Sequence, residues 1–157
     1  MKLKSLSFAA LMAATLSAQA QTEITWWHSM TAFNNEWVNT LAKQFNESQK
    51  TYKVTPIYKG SYDESMTAAI AAFRAGNAPH ILQVFEVGTA TMMASKGAIV
   101  PAGKVMADAG KKFDTNAYIA AVAGYYTAPN GQMLSFPYNS STTVLYINKD
   151  AFKAAGM

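Results

Sequence analysis

Arg74-Ala75-Gly76-Asn77-Ala78-Pro79-His80-Ile81-Leu82-Gln83-Val84-Phe85-Glu86-Val87-Gly88 is the stretch on which the reading of the fold turns. Gly76-Asn77 reverses a chain leaving a helix, and Pro79 launches a short apolar run of strand character from His80 to Phe85. That run carries one carboxylate, Glu86, to its far end, and Gly88-Thr89 opens the next helical segment. Ligands of open α/β sheets bind outside the carboxyl ends of the strands, so a polar group delivered there is a candidate contact.

Toward the N-terminus the pattern repeats. Tyr52 to Tyr58 is strand-like, with Pro56 suited to an edge because it donates nothing to a ladder. Lys59-Gly60-Ser61-Tyr62 turns the chain, Asp63 and Glu64 start a helix, and Met66, Ile70 and Phe73 form its apolar side up to Gly76. Before it, Glu23 to Trp27 has the β-branched and aromatic bias of a strand. A helix follows, capped by Asn34 or Asn35, whose stripe of Trp37, Leu41 and Phe45 runs beside Val38 and Ala42. Strand, helix, strand, helix, strand predicts an α/β fold with a mainly parallel sheet and right-handed crossovers.

Toward the C-terminus, Thr89 to Lys96 and Ala102 to Ala109 read as short helices, with a further turn or two over Asp114 to Ala121. Pro129-Asn130-Gly131 between Tyr125-Tyr126-Thr127 and Met133 to Phe136 predicts a hairpin. Thr143 to Ile147 predicts a strand, and Asn148-Lys149-Asp150 starts a last helix.

Half of the 157 residues are apolar, which is enough for a core, and only 14% are charged. Met1 to Ala20 has the three parts of a secretory signal: Lys2 and Lys4, an apolar middle from Leu6 to Leu16, and Ala18-Gln19-Ala20 as cleavage site. The middle is shorter than the ~20 residues of a spanning helix. Residues 21–157 then form the mature lobe, and in a bacterium with two membranes the expected location is the periplasm. Lys2 and Lys4 carry two of the four net positive charges, and no basic run suggests nucleic acid. There is no Cys, so no disulfide framework exists.

Catalytic signatures are missing. The sequence has no G-x-S-x-G elbow, no H-E-x-x-H and no Walker-type loop, and His28 and His80 have no carboxylate at metal-ligand spacing. No metal, cofactor or catalytic residue is expected. Asp63 and Glu86 form a conceivable glycosidase pair, although Asp63 also suits a helix start. Aromatic residues cluster near strand ends, most of them sheet filler; Tyr62 stands out because it sits in a Gly-Ser turn beside no apolar partner. Glu86 is either a solvated helix-start residue or an acceptor for ligand hydroxyls, since a carboxylate only accepts. Ser140 and Ser141 are either a polar turn or donors to an anion. Hydroxyls at one end of a ligand and an anion at the other would match Glu86 and Ser141.

Several segments carry a resemblance. They are Trp27-His28-Ser29-Met30, Tyr58 to Tyr62, Ala71 to Pro79 continuing through Ile81 to Lys96, Asn139 to Thr142, and Asn148 to Phe152. Together they resemble the extracellular solute-binding proteins of ABC importers, of the maltose-binding type, and within them the periplasmic binders of sn-glycerol-3-phosphate. The resemblance extends over essentially all of residues 21–157. It implies a periplasmic-binding-protein type II fold with two α/β lobes joined by a hinge, of which this chain is the N-terminal, incomplete part. It implies no enzymatic activity, and it makes Tyr62, Glu86 and Ser141 first-lobe ligand contacts. The implied partners are sn-glycerol-3-phosphate, or a glycerophosphodiester, and the permease subunits at the inner membrane, with the binder itself a monomer. An oligosaccharide is the alternative ligand, and a secreted hydrolase using Asp63 and Glu86 the alternative of another class.

Overall fold

A computed structural model describes residues 21–95 and 97–157. The expected signal segment, residues 1–20, lies outside the described residues. The chain divides into two compact units, the first running through Gly88 and the second from Thr89 to Met157.

In the first unit β1 (Thr22–His28) lies between two parallel neighbours, β2 (Tyr52–Tyr58) and β3 (Ile81–Leu82). Thr22 pairs with Tyr52 and His28 with Tyr58, so β1 and β2 match along their whole length. Pro56 is on β2, an edge of this three-stranded sheet, where its missing donor costs no ladder bond. The chain leaves β1 toward β2 on one side and then crosses to β3 on the other. With right-handed crossovers, α1 (Ala32–Ser48) and α2 (Tyr62–Arg74) therefore belong to opposite faces.

α1 buries Val38 and Ala42, while Trp37 and Phe45 remain more than 40% exposed at the flanks of that seam. The apolar stripe exists, displaced by one residue from the expected centre. The helix also starts earlier than expected. Its N-cap is Thr31, without a side-chain cap bond, and neither Asn34 nor Asn35 caps it. α2 begins at Tyr62 behind a full capping box. Ser61 Oγ accepts from Glu64 N–H at 3.3 Å, and Glu64 Oε2 accepts from Ser61 N–H at 2.7 Å. It buries Ser65 and Ala69, leaving Met66 and Ile70 half-buried and Phe73 exposed. Gly76, at φ 69°, ends the helix: its N–H reaches Phe73 O and that of Asn77 reaches Ala72 O, the paired bonds of a Schellman motif.

β3 is much shorter than the His80 to Phe85 run. Side chains take over where the ladder stops. His80 is bound to Thr25, whereas Gln83 donates its backbone N–H to Trp27 O and accepts from Ser29 N–H through Oε1. α3 (Glu86–Ala94) begins at Glu86, three residues before the expected start at Thr89.

The second unit contains α4 (Ala102–Asp108), a 3-10 turn at Thr115–Ala117 capped by Asp114, α5 (Ala120–Tyr125) and α6 (Lys149–Ala154). The expected hairpin is reduced to one antiparallel bridge, Thr127 with Met133, closed by Ala128 N–H to Gln132 O and Leu134 N–H to Tyr126 O. Tyr125 belongs to α5 rather than to a strand. Thr143 to Ile147 forms no strand. It pairs with nothing among the described residues, and Leu145 and Tyr146 are more than 80% exposed. A strand needs a neighbour to satisfy its backbone, and sequence preference alone does not supply one.

Candidate functional site

The order β2-β1-β3 makes the β1–β3 boundary a switch point. β1 connects onward to β2 on one side and β2 to β3 on the other, and at such a boundary the carboxyl ends of the strands are where open α/β sheets bind ligands. Two backbone bonds and one backbone-to-side-chain bond tie this edge together. Lys59 N–H donates to His28 O at 2.9 Å, Gln83 N–H to Trp27 O at 2.9 Å, and Ser29 N–H to Gln83 Oε1 at 3.1 Å. Ser29 Oγ is buried there with no hydrogen-bond partner among the described residues, a hydroxyl whose bonding capacity the chain leaves unused.

His28 closes β1 with 1% of its surface exposed. Trp26 and Tyr58 flank its ring at 6.1 and 6.0 Å, and its Nδ1 accepts from Met30 N–H at 3.3 Å. Burial penalises the charged imidazolium and pushes its pKa below the ordinary histidine value. His28 is therefore a neutral structural ring under the edge. Lys59, leaving β2, holds its ammonium 3.9 Å from the centroid of the Trp27 ring, which places positive charge at the same edge.

Tyr62 is the first residue of α2, delivered to the edge by the Gly60-Ser61 turn. Gly60 has φ 82°, and a β-carbon there would strike the Glu64 carboxylate that completes the capping box. Glu64 is held below the usual carboxylate range chiefly by the Ser61 N–H bond. Contrary to the expectation that it has no apolar partner, Tyr62 is half-buried and stacked on Phe85, with centroids 5.4 Å apart and planes 27° from parallel. Phe85 is the residue that sequence reasoning missed here. It lies at the end of the apolar run, and nothing in its spacing from Tyr62 announces the stack. Glu86 follows it as the first residue of α3, so its backbone stands at the carboxyl edge; its side chain lies outside the described residues.

Tyr62 and Glu86 thus belong to the first unit, each opening a helix beyond a strand of one sheet. Ser141 belongs to the second unit, exposed on a segment without regular structure, and so does Ser140. Asp63 is exposed in the first turn of α2, where the helix N-terminus favours a carboxylate. Thr25 Oγ1 lies 3.0 Å from His80 Nδ1, and two backbone N–H bonds reinforce the contact. His80 Nδ1 already accepts from Thr25 N–H at 3.1 Å, and Thr25 Oγ1 in turn accepts from His80 N–H at 3.3 Å, which pins β3 to β1. Among the described residues, no three His, Asp or Glu side chains gather as metal ligands.

The first unit also has a cavity of about 400 Å³ between α1 and the sheet, lined by Ile24, Trp26, Leu41, Phe45, Val54 and Ile81 among others. Its lining is mostly apolar, with Trp26 and Tyr52 the lining side chains that carry a hydrogen-bonding group, and neither is charged. The edge with Lys59, Tyr62 and Glu86 has the polar groups and remains the candidate site.

Comparison with known proteins extends this picture. Residues 40–157 match the family model described as bacterial extracellular solute-binding protein. The chain is 56% identical over 148 residues to the sn-glycerol-3-phosphate-binding periplasmic protein UgpB of Brucella abortus (strain 2308), covering 93% of this chain and 34% of that one. It is 52% identical to the protein of the same name from Rhizobium meliloti (strain 1021), over all of this chain and 36% of that one. The Yersinia enterocolitica protein of that name is 55% identical over 98% of this chain and 35% of its own length. The chain therefore spans about a third of the length of the curated relatives it matches. Among solved structures it is similar in fold to one described as CpMnBP1 with mannotriose bound, with a TM-score of 0.59 at 21% identity, covering 72% of this chain and 27% of that one.

Proposed function

The chain belongs to the bacterial extracellular solute-binding protein family, and from that premise we propose that it forms the N-terminal α/β lobe of a periplasmic sn-glycerol-3-phosphate receptor serving an ABC importer. Identity above one half to three proteins bearing one ligand name carries this reading. The first unit supports it with a switch-point edge that carries a cation, a stacked tyrosine and a carboxylate position.

In this reading residues 1–20 are a signal peptide and residues 21–157 the mature lobe. Glu86 accepts hydrogen bonds from the glycerol hydroxyls, which an acceptor-only group can do and a phosphate cannot reciprocate. Tyr62 covers the glycerol carbons with its ring and offers its hydroxyl. Ser141 donates to the phosphate. The receptor is a monomer that captures its ligand unchanged, closes around it and presents it to the permease.

The test uses a chimera in which this chain replaces the matching third of the Rhizobium meliloti relative. Titration calorimetry is expected to show saturable heat with sn-glycerol-3-phosphate and none with mannotriose, and incubation with glycerophosphodiesters is expected to return them intact. Heat with the oligosaccharide alone would reassign the ligand. Release of glycerol phosphate from the diesters would make the protein a hydrolase.

A further inference from the structure

Gly88 is the third residue of α3, and its backbone does not adopt a positive φ. Nothing about its conformation calls for glycine, and a helix prefers alanine there. The reason is space. Gly88 is buried, and a β-carbon built on it would lie 2.8 Å from Phe85 Cε1, 3.0 Å from Phe85 Cδ1 and 2.9 Å from Met66 Sδ. The Met66 thioether is the end of a flexible side chain and can move. The Phe85 ring carries Tyr62 on its face, so it cannot shift without taking away the surface on which Tyr62 is stacked.

We propose that Gly88 is a positioning residue for the ligand: the missing side chain seats Phe85, and Phe85 sets the tilt and depth of the Tyr62 ring at the carboxyl edge of the sheet. This rests on the reading of Tyr62 as a ligand contact. α2, which brings Tyr62, and α3, which brings Gly88, are thereby joined through one aromatic ring, and the glycine records that junction in the sequence. Glu86 shares the first turn of α3 with Gly88, so a substitution could also act through the helix start; the test separates the two routes.

The experiment is a double-mutant cycle in the chimera, read by calorimetry with sn-glycerol-3-phosphate and accompanied by thermal melts. Gly88→Ala is expected to weaken binding about five- to tenfold, the loss that goes with one misplaced hydrogen-bonding group. In a Tyr62→Ala background the same substitution is expected to change affinity less than twofold, because its route to the ligand is gone. A penalty that persists in that background overturns the proposal, since Gly88 then acts elsewhere, on Glu86 or on folding. Full affinity in Gly88→Ala also overturns it. Tyr62→Ala alone leaving binding unchanged removes Tyr62 from the site and is recognisable as failure of the functional reading. If Gly88→Ala melts without a cooperative transition, Phe85→Leu takes its place in the cycle, with the same coupling to Tyr62 expected and its absence equally decisive.

Discussion

His28 ends β1 with its ring withdrawn from solvent between Trp26 and Tyr58, and burial lowers its pKa. The unfolded chain titrates near the ordinary value of about 6.5, whereas the folded chain resists the proton. Stability from this group is therefore complete above the unfolded pKa and is lost as pH falls through about 6.5 toward the lowered folded value. Urea midpoints followed by tryptophan fluorescence are expected to drop between about pH 7.5 and 5.5. His28→Gln, which cannot titrate, should flatten that slope even if it lowers the midpoint. A second expectation concerns Glu86. In the chimera, Glu86→Ala should cost about 1–3 kcal/mol of binding free energy by leaving ligand hydroxyls unpaired, and calorimetric affinity equal to the parent's would take Glu86 out of the site. At this scale the sequence shows chemistry better than company. Glu86 is conspicuous as the one carboxylate after an apolar run. The Tyr62–Phe85 stack is not, because it joins residues on separate elements and depends on how α2 and α3 approach the sheet.

α2 is the most legible element because its signals are local. Ser61 and Glu64 sit at capping-box spacing, acidic residues fill the first turn, and Gly76 follows the last. Ser61→Ala should cost about 1 kcal/mol of stability, measured as a lower urea midpoint with an unchanged denaturant slope. The Glu64 side of the box responds to acid. Its lowered pKa means the contribution is present above the unfolded value and lost as pH falls through the folded one. β1 and β2 are legible for similar reasons, and so is the edge position of Pro56. β3 is not, since its length is decided by two side chains. His80 and Gln83 have the apolar context of a strand, yet their polar groups replace the ladder at each end of Ile81–Leu82. His80→Ala should accordingly loosen β3 from β1, seen as faster amide exchange at Thr25 and Gln83 with little change at β2.

Over the whole chain, legibility falls where a segment's structure depends on partners distant in sequence. Thr143 to Ile147 has the composition of a strand and is exposed without a pairing neighbour among the described residues; composition can nominate a strand but cannot provide its ladder. The same dependence governs binding. Periplasmic binding proteins close by a hinge around their ligands, and this chain spans about a third of the relatives' length. Under the proposed reading, the first unit taken alone offers a small ligand only the Lys59–Tyr62–Glu86 edge. Two or three missing hydrogen bonds at about 1 kcal/mol each, together with incomplete exclusion of solvent, correspond to at least about a hundredfold in affinity. Calorimetry on residues 21–157 alone should thus give binding of sn-glycerol-3-phosphate at least about a hundredfold weaker than the chimera's, with a cooperative unfolding transition recorded beforehand to show that the chain is folded. A folded chain that matched the chimera within tenfold would mean that the ligand sits in this piece unaided. Recognition would then be a property of one lobe, and closure would serve delivery to the permease rather than capture.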